Sequence, residues 1–323
     1  MKDERNQNNQ SSRRDFISKA GLVTAAMAAS TAFIPGVAHS AANNSDKKEL
    51  SGKTAFITGA ARGIGLATAE LMAQNGANIV IYDIATAEIP HIKYSMSSEE
   101  DLIQAKLTIE KMGGKCLAVK GDVRNRSELE QAMKKAVEMF GSLDILVCNA
   151  GVTQVGEIEN FTSEEISTVY DINVAGVIKT TQAAAPIMKK QKSGRIIFIS
   201  SGLGRVGNPL FPIYTSTKWA VIGFAKSAAL SYAGYNITCN TVSPGLVNTK
   251  LVDNNYILNA MSPNNPTLEA VDKIMQNINP FPMGMYQPEE IARAVMLFAG
   301  NVTAKITGEV FDISSGATAN NIG

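Results

Sequence analysis

The chain has 323 residues, 45% hydrophobic and 18% charged, with a formal net charge of +1. That length provides for one large domain with its own core, and near-neutrality without a basic face or charge run speaks against nucleic acid as a partner. Cys116, Cys148 and Cys239 fall at no metal-ligand spacing, and His39 and His91 are too few for a histidine-based metal site.

The N-terminus reads as separate from the fold. Arg13-Arg14-Asp15-Phe16 precedes an apolar, small-residue run from Ala20 to Pro35, and Ala38-His39-Ser40 offers a cleavage site before Ala41. A charged start, a short apolar stretch and small residues at a cleavage site make residues 1–40 an export signal. The arginine pair resembles a twin-arginine signal, an address read by a receptor, and implies a periplasmic or otherwise extracytoplasmic protein. The alternatives are a basic tail or an uncleaved N-terminal membrane anchor, although the run is short of the roughly 20 residues a spanning helix needs. Residues 41–51 read as a polar linker.

From residue 52 onward, strands and helices are expected to alternate. Lys53–Thr58 reads as a strand, Ile64–Asn75 as a helix, Asn78–Asp83 as a strand and Glu99–Met112 as a helix. Lys115–Lys120 follows as a strand, Ser127–Phe140 as a helix, Leu143–Cys148 as a strand and Ser163–Lys190 as one long helix. Arg195–Ser200 is expected as a strand, Tyr214–Ala233 as a helix, Asn236–Val242 as a strand, Pro288–Ala299 as a helix and Glu309–Ile313 as the last strand. Short, fully apolar strands joined by helices predict an α/β domain with a parallel sheet covered on both faces. Residues 84–98 and 246–287 break the rhythm as long irregular segments, which are usually functional in a compact domain.

Chemistry concentrates at the ends of these strands. Thr58-Gly59-Ala60-Ala61-Arg62-Gly63-Ile64-Gly65 joins the first strand to the first helix. Its glycines permit a tight turn and close approach of a pyrophosphate, and the helix start supplies free N–H groups. Asp83 closes the second strand, where a carboxylate accepts from ribose hydroxyls and repels a 2′-phosphate, favouring NAD over NADP. Arg62 is the counter-signal, a cation able to hold that phosphate. Asp122 and Val123, after the third strand, are candidates to flank the adenine. Asn149-Ala150-Gly151 ends the fourth strand where a cofactor edge should pass. Tyr214 and Lys218 are spaced to share a helix face. A neighbouring ammonium favours phenolate and lowers the phenol's pKa, which suits it to move a proton to or from an alcohol or carbonyl oxygen. Ser201, with Ser200 one residue away as the competing choice, can polarise that oxygen. Asn173 is a polar residue in a helix that should be apolar inside.

These motifs occur in the order and approximate spacing of the short-chain dehydrogenase/reductase family, which residues 52–323 resemble, together with Ser243-Pro244-Gly245. The resemblance implies a Rossmann-like, doubly wound sheet of about seven strands in a single domain, and a homotetramer. It also implies Tyr214 as acid/base, Lys218 on the nicotinamide ribose, Ser201 on the reacting oxygen and Asn173 in a proton relay. Gly59, Arg62, Gly63, Ile64, Gly65, Asp83, Asp122, Val123, Asn149, Ala150 and Gly151 become cofactor residues, with Pro244, Gly245, Val247 and Thr249 against the carboxamide.

The segment Ile84–Ser98 is longer than in most members and is similar to that of a carveol-dehydrogenase-like subgroup. That likeness implies tightly bound NAD and an external redox partner. The apolar, methionine-rich segment 246–287 is expected as a substrate lid for a mostly apolar secondary alcohol or ketone. The competing readings are an NADPH-dependent 3-oxoacyl thioester reductase and a non-enzymatic, NAD-binding redox sensor.

Overall fold

A computed structural model describes residues 48–319, so the expected export signal and most of the linker lie outside the described residues. β1 (Thr54–Thr58) leads through α1 (Gly63–Gln74) to β2 (Asn78–Asp83), and α2 (Glu99–Lys111) leads to β3 (Cys116–Lys120). α3 (Arg126–Phe140) returns the chain to β4 (Ile145–Cys148). α4 (Ser163–Tyr170) and α5 (Gly176–Gln191) precede β5 (Gly194–Ile199), and α6 (Pro212–Tyr232) precedes β6 (Ile237–Pro244). α7 (Asn255–Met261), α8 (Leu268–Ile278) and α9 (Pro288–Ala299) come before β7 (Val310–Ile313).

The seven strands form one parallel sheet in the order β3-β2-β1-β4-β5-β6-β7. The chain builds outward from β1 to β3 and then crosses back to β4, so a crevice opens at the carboxyl ends of β1 and β4. Side-chain alternation feeds two cores. Ala55, Ile57, Ile79 and Ile81 pack with Met72 of α1, Leu102 of α2 and Val295 of α9. Phe56, Val80 and Tyr82 face the other way, onto Leu129 and Met133 of α3, Met188 of α5 and Val221 of α6. Both faces are covered, which explains why β1, β4 and β6 are buried on every residue rather than on alternate ones.

Local chemistry sets the helix limits. Ser98 and Asp101 form a reciprocal capping box at the start of α2. Asn125 caps α3, which stops at Gly141 in the left-handed region at φ 88°. Pro288 opens α9, where its missing N–H is no loss.

Two expectations need correction. The long helix is interrupted between α4 and α5 by a π turn over Asp171–Ala175, with Asn173 at its centre. Residues 246–287 are not irregular throughout, because they contain α7 and α8, capped by Asn254 and Thr267. The segment after β2 is irregular as expected, with neither helix nor strand, and it is packed. Ala85 and Ile89 are buried, and Ile84, Ile92 and Met96 lie against the core. Ala85 and His91 hold φ of 46° and 67°, a conformation that costs a non-glycine residue about 1–2 kcal/mol and persists only where contacts over-determine it.

Candidate active site

A cleft of about 750 Å³ runs along the carboxyl edge of the sheet. It is lined by Arg62, Gly63, Ile64, Asp83, Asn149, Ala150, Gly151, Ser201, Tyr214, Lys218, Pro244, Gly245, Val247 and Thr249. A smaller adjoining pocket brings Gly59 together with Asp122 and Val123. Gly65 and Asn173 stand behind these walls.

The glycine loop is shaped by contacts that exclude a side chain. Gly59 and Gly63 have φ of 64° and 61°. A Cβ on Gly65 would lie 2.3 Å from the Gly59 carbonyl oxygen. Asn149 holds this turn rather than reaching across the cleft, since its Nδ2 donates to the carbonyls of Thr58 and Gly59, both at 2.9 Å. The Thr58 hydroxyl accepts from the N–H groups of Asn149 and Ala150, each at 3.1 Å. α1 starts without a side-chain cap, so its first N–H donors remain available at the cleft. Asp83, only 6% exposed, accepts from the Ala61 N–H at 2.9 Å, the Ala85 N–H at 3.2 Å and the Ser97 hydroxyl. One acceptor position on its Oδ2 stays open, because a carboxylate has about four. Uncapped helix donors, a glycine cradle and a buried carboxylate at the end of β2 fit the dinucleotide expected from the sequence.

Arg62 is hydrogen-bonded to the segment after β2. Its guanidinium donates to the carbonyls of Ser95 at 2.8 Å and Met96 at 3.2 Å. The segment after β2 is in fact tied across the cleft at several points. The Thr153 N–H donates to the Tyr94 hydroxyl at 2.8 Å, Gln154 Nε2 donates to the His91 carbonyl at 2.5 Å, and Lys93 pairs with Glu165 at 2.9 Å. The result is a strap from the β1–β2 side to the β4 side. Tyr94, Ser97 and Thr153 all line the cleft, and local sequence pattern did not single them out.

At the other end, α6 carries Tyr214 and Lys218 on one face. Lys218 is 5% exposed; its Nζ donates to the Ile199 carbonyl at 3.0 Å and lies 5.3 Å from the centre of the Tyr214 ring. Burial pulls the ammonium down to about 8. Burial also pushes the Tyr214 phenol up to about 12, opposed by its hydrogen bond with Ser201. Desolvation therefore sets the direction at the phenol, in place of the lowering expected from a neighbouring ammonium. The two serines separate clearly. The Ser200 hydroxyl donates to the Lys218 carbonyl at 2.9 Å, which fixes β5 against α6, and Ser201 is the one beside the phenol. Asn173, 1% exposed, accepts from the Val152 N–H at 2.8 Å and donates to the Val152 carbonyl at 2.8 Å and Thr217 Oγ1 at 3.1 Å. A Cβ on Gly151 would sit 3.3 Å from Asn173 Oδ1 and 3.6 Å from Lys218 Nζ. Gly151 thus keeps open the space where these groups converge.

Val252, Ile257, Leu258, Val271 and Met285 of the segment 246–287 cluster with Val155 and Phe211. Tyr256 of α7 clamps that segment to β4's continuation, its hydroxyl donating to the Val155 carbonyl at 2.7 Å. Among the described residues no group of acidic, cysteine or histidine side chains could hold a metal ion.

The family model for short chain dehydrogenases matches residues 53–257. A 3-oxoacyl-acyl-carrier-protein reductase of Synechocystis sp. is 36% identical over 270 residues, covering 83% of this chain and 97% of that protein. The (-)-trans-carveol dehydrogenase of Rhodococcus erythropolis is 30% identical over 277 residues, covering 83% and 98%. Among solved structures, carveol dehydrogenase from Mycobacterium avium in complex with NAD superposes with a TM-score of 0.82 at 30% identity, covering 84% of this chain and all of that one. With the fold, the cleft and these likenesses in agreement, the chain belongs to the short-chain dehydrogenase/reductase family of oxidoreductases.

Proposed function

We propose that the protein interconverts a mostly apolar secondary alcohol and its ketone, with NAD(H) as cofactor and Tyr214 as the acid/base. The observation that carries this is the convergence of Tyr214, Ser201 and Lys218 on one cleft that also holds the buried carboxylate of Asp83. When bound, NAD supplies the hydride acceptor or donor. Gly59, Gly63, Ile64 and the start of α1 would hold its phosphates, Asp83 its ribose, Asp122 and Val123 its adenine, and Pro244 to Thr249 its nicotinamide end. Ser201 Oγ holds the substrate oxygen. In reduction the Tyr214 phenol gives its proton to the carbonyl oxygen, and in oxidation the Tyr214 phenolate takes the proton from the alcohol oxygen. A phenol near pKa 12 is protonated at neutral pH and ready to donate; the Lys218 ammonium stabilises the phenolate left behind. Asn173 acts as a positioning residue that ties Val152 to α6.

The strap supports a further element of this reading, that NAD is retained between turnovers. Such retention suits an exported protein, as proposed for residues 1–40, and would require an external redox partner to recycle the cofactor. Assembly as a homotetramer is proposed with it. Protein purified without added nucleotide should release stoichiometric NAD(H) on denaturation, and the holoprotein should turn over apolar secondary alcohols in preference to small charged hydroxy acids. Bound NADP(H), or a preference for the acids, would overturn the reading.

The second reading, an NADPH-dependent 3-oxoacyl thioester reductase, has in its favour the Synechocystis relative. Against it stand the Asp83 carboxylate and an Arg62 already committed to two carbonyls. The identity of the nucleotide released on denaturation, NAD(H) or NADP(H), separates the two.

A further inference from the structure

The strap contributes more than backbone. Tyr94 lines the cleft, is 9% exposed, and accepts a hydrogen bond from the Thr153 N–H at 2.8 Å. That bond occupies a lone pair of the phenol and leaves its hydrogen without a protein acceptor among the described residues. Thr153, also on the cleft wall, is 1% exposed, and its Oγ1 is enclosed with no partner there either. A buried donor left unmade is costly, so an unused, enclosed hydroxyl on the cleft wall is a place built for a ligand oxygen.

The surroundings define which oxygen. Next to Thr153, Val155 belongs to the apolar lid cluster and is clamped by Tyr256, which places this stretch of wall beside the substrate space. The nearby cations are engaged, Lys93 with Glu165, Lys250 with Asp253 and Arg62 with two carbonyls. A neutral carbonyl or hydroxyl needs only the donor that the phenol supplies, without the desolvation cost a carboxylate or phosphate would bring to an enclosed wall. Burial raises the Tyr94 phenol, which keeps it a donor at any ordinary pH.

Building on the alcohol/ketone reading above, we propose that Tyr94 is a specificity residue that donates a hydrogen bond to a second, uncharged oxygen of the substrate, apart from the carbon that reacts at Tyr214. The preferred substrates are then dioxygenated apolar skeletons, diketones or hydroxyketones, rather than simple ketones.

The test uses the full holoprotein and pairs of cyclic ketones that share a carbon skeleton, one with a second carbonyl or hydroxyl and one without. The wild type should favour the dioxygenated member. In Tyr94→Phe the ratio of kcat/KM between the members should fall about three- to tenfold, the worth of one neutral hydrogen bond, and the change should lie in KM. An unchanged ratio, or a fall in bound nucleotide in place of a changed ratio, would overturn the proposal; the latter would assign the phenol to the cofactor. Calorimetry on Tyr214→Phe holoprotein gives a reading that needs neither turnover nor a Tyr94 variant. There the dioxygenated ketone should bind more tightly by the same factor, and equal affinities would refute the inference. Discriminating binding by a protein that reduces neither ketone would sink the alcohol/ketone reading while leaving the Tyr94 contact standing.

Discussion

Replacing Lys218 with methionine should make the fold more stable at neutral pH while removing catalysis. Lys218 is 5% exposed, and its one polar partner among the described residues is the Ile199 carbonyl at 3.0 Å. Depression of the ammonium from 10.5 to about 8 corresponds to a penalty on the charged form of roughly 3 kcal/mol at pH 7. Losing the hydrogen bond to Ile199 returns about 1.5 kcal/mol of that. The net expectation is a gain of about 1–2 kcal/mol for Lys218→Met, since methionine fills similar space without a charge. The pH dependence has a definite sign. Between about pH 8 and 10.5 the unfolded chain binds a proton at this site that the folded chain does not, so wild-type stability rises with pH through that window. The advantage of the variant is therefore full below pH 8 and shrinks toward pH 10. Urea unfolding of both proteins at pH 7 and pH 9.5 measures it. A variant less stable than wild type at pH 7, or a gap that does not close at pH 9.5, would refute the claim that the ammonium is held in a desolvated site.

Other parts of the account are open to single substitutions. Gly65→Ala should fail to fold stably or lose nucleotide altogether, because its Cβ would stand 2.3 Å from the Gly59 oxygen and 2.7 Å from Asn149 Nδ2; nucleotide content and a thermal melt report both effects. Arg62→Ala frees the Ser95 and Met96 carbonyls and should loosen the strap, raising the rate at which bound nucleotide is lost on dialysis by tenfold or so, at about 0.7 kcal/mol for each of two solvent-accessible hydrogen bonds. A loss rate equal to wild type would show that the strap closes without Arg62. Asn173→Ala strands the Val152 N–H and carbonyl inside the protein and should cost roughly 2–4 kcal/mol in chemical denaturation; a cost under about 1 kcal/mol would mean that water replaces the amide.

What the sequence made legible follows from how local each signal is. β2 and α9 coincide with their expected bounds, Asn78–Asp83 and Pro288–Ala299, because an apolar run ending in a carboxylate, and a proline start followed by a glycine stop, are local features. The Tyr214–Lys218 pair and the glycine loop were readable for the same reason, since helix spacing and turn chemistry are set by neighbours in the chain. The lid helices were missed because α7 spans only seven residues and Pro266 lies between it and α8, so neither shows a long apolar period. Their caps, Asn254 and Thr267, were the available signal. The strap was harder still. Nothing near Tyr94 or Ser97 announces that one meets Thr153 and the other Asp83, contacts that join residues 59 and 14 positions apart. The environment of Tyr214 was also beyond the sequence, because spacing places an ammonium nearby but only packing decides whether burial outweighs it.

The most direct test of the central claim is the pre-steady-state rate of nicotinamide reduction by a secondary alcohol in Tyr214→Phe holoprotein. Loss of the proton acceptor should slow this step by about 10²–10⁴-fold while the bound nucleotide content stays as in wild type. A Phe variant that reduces its nicotinamide within a few-fold of the wild-type rate would contradict the assignment of Tyr214 as the acid/base.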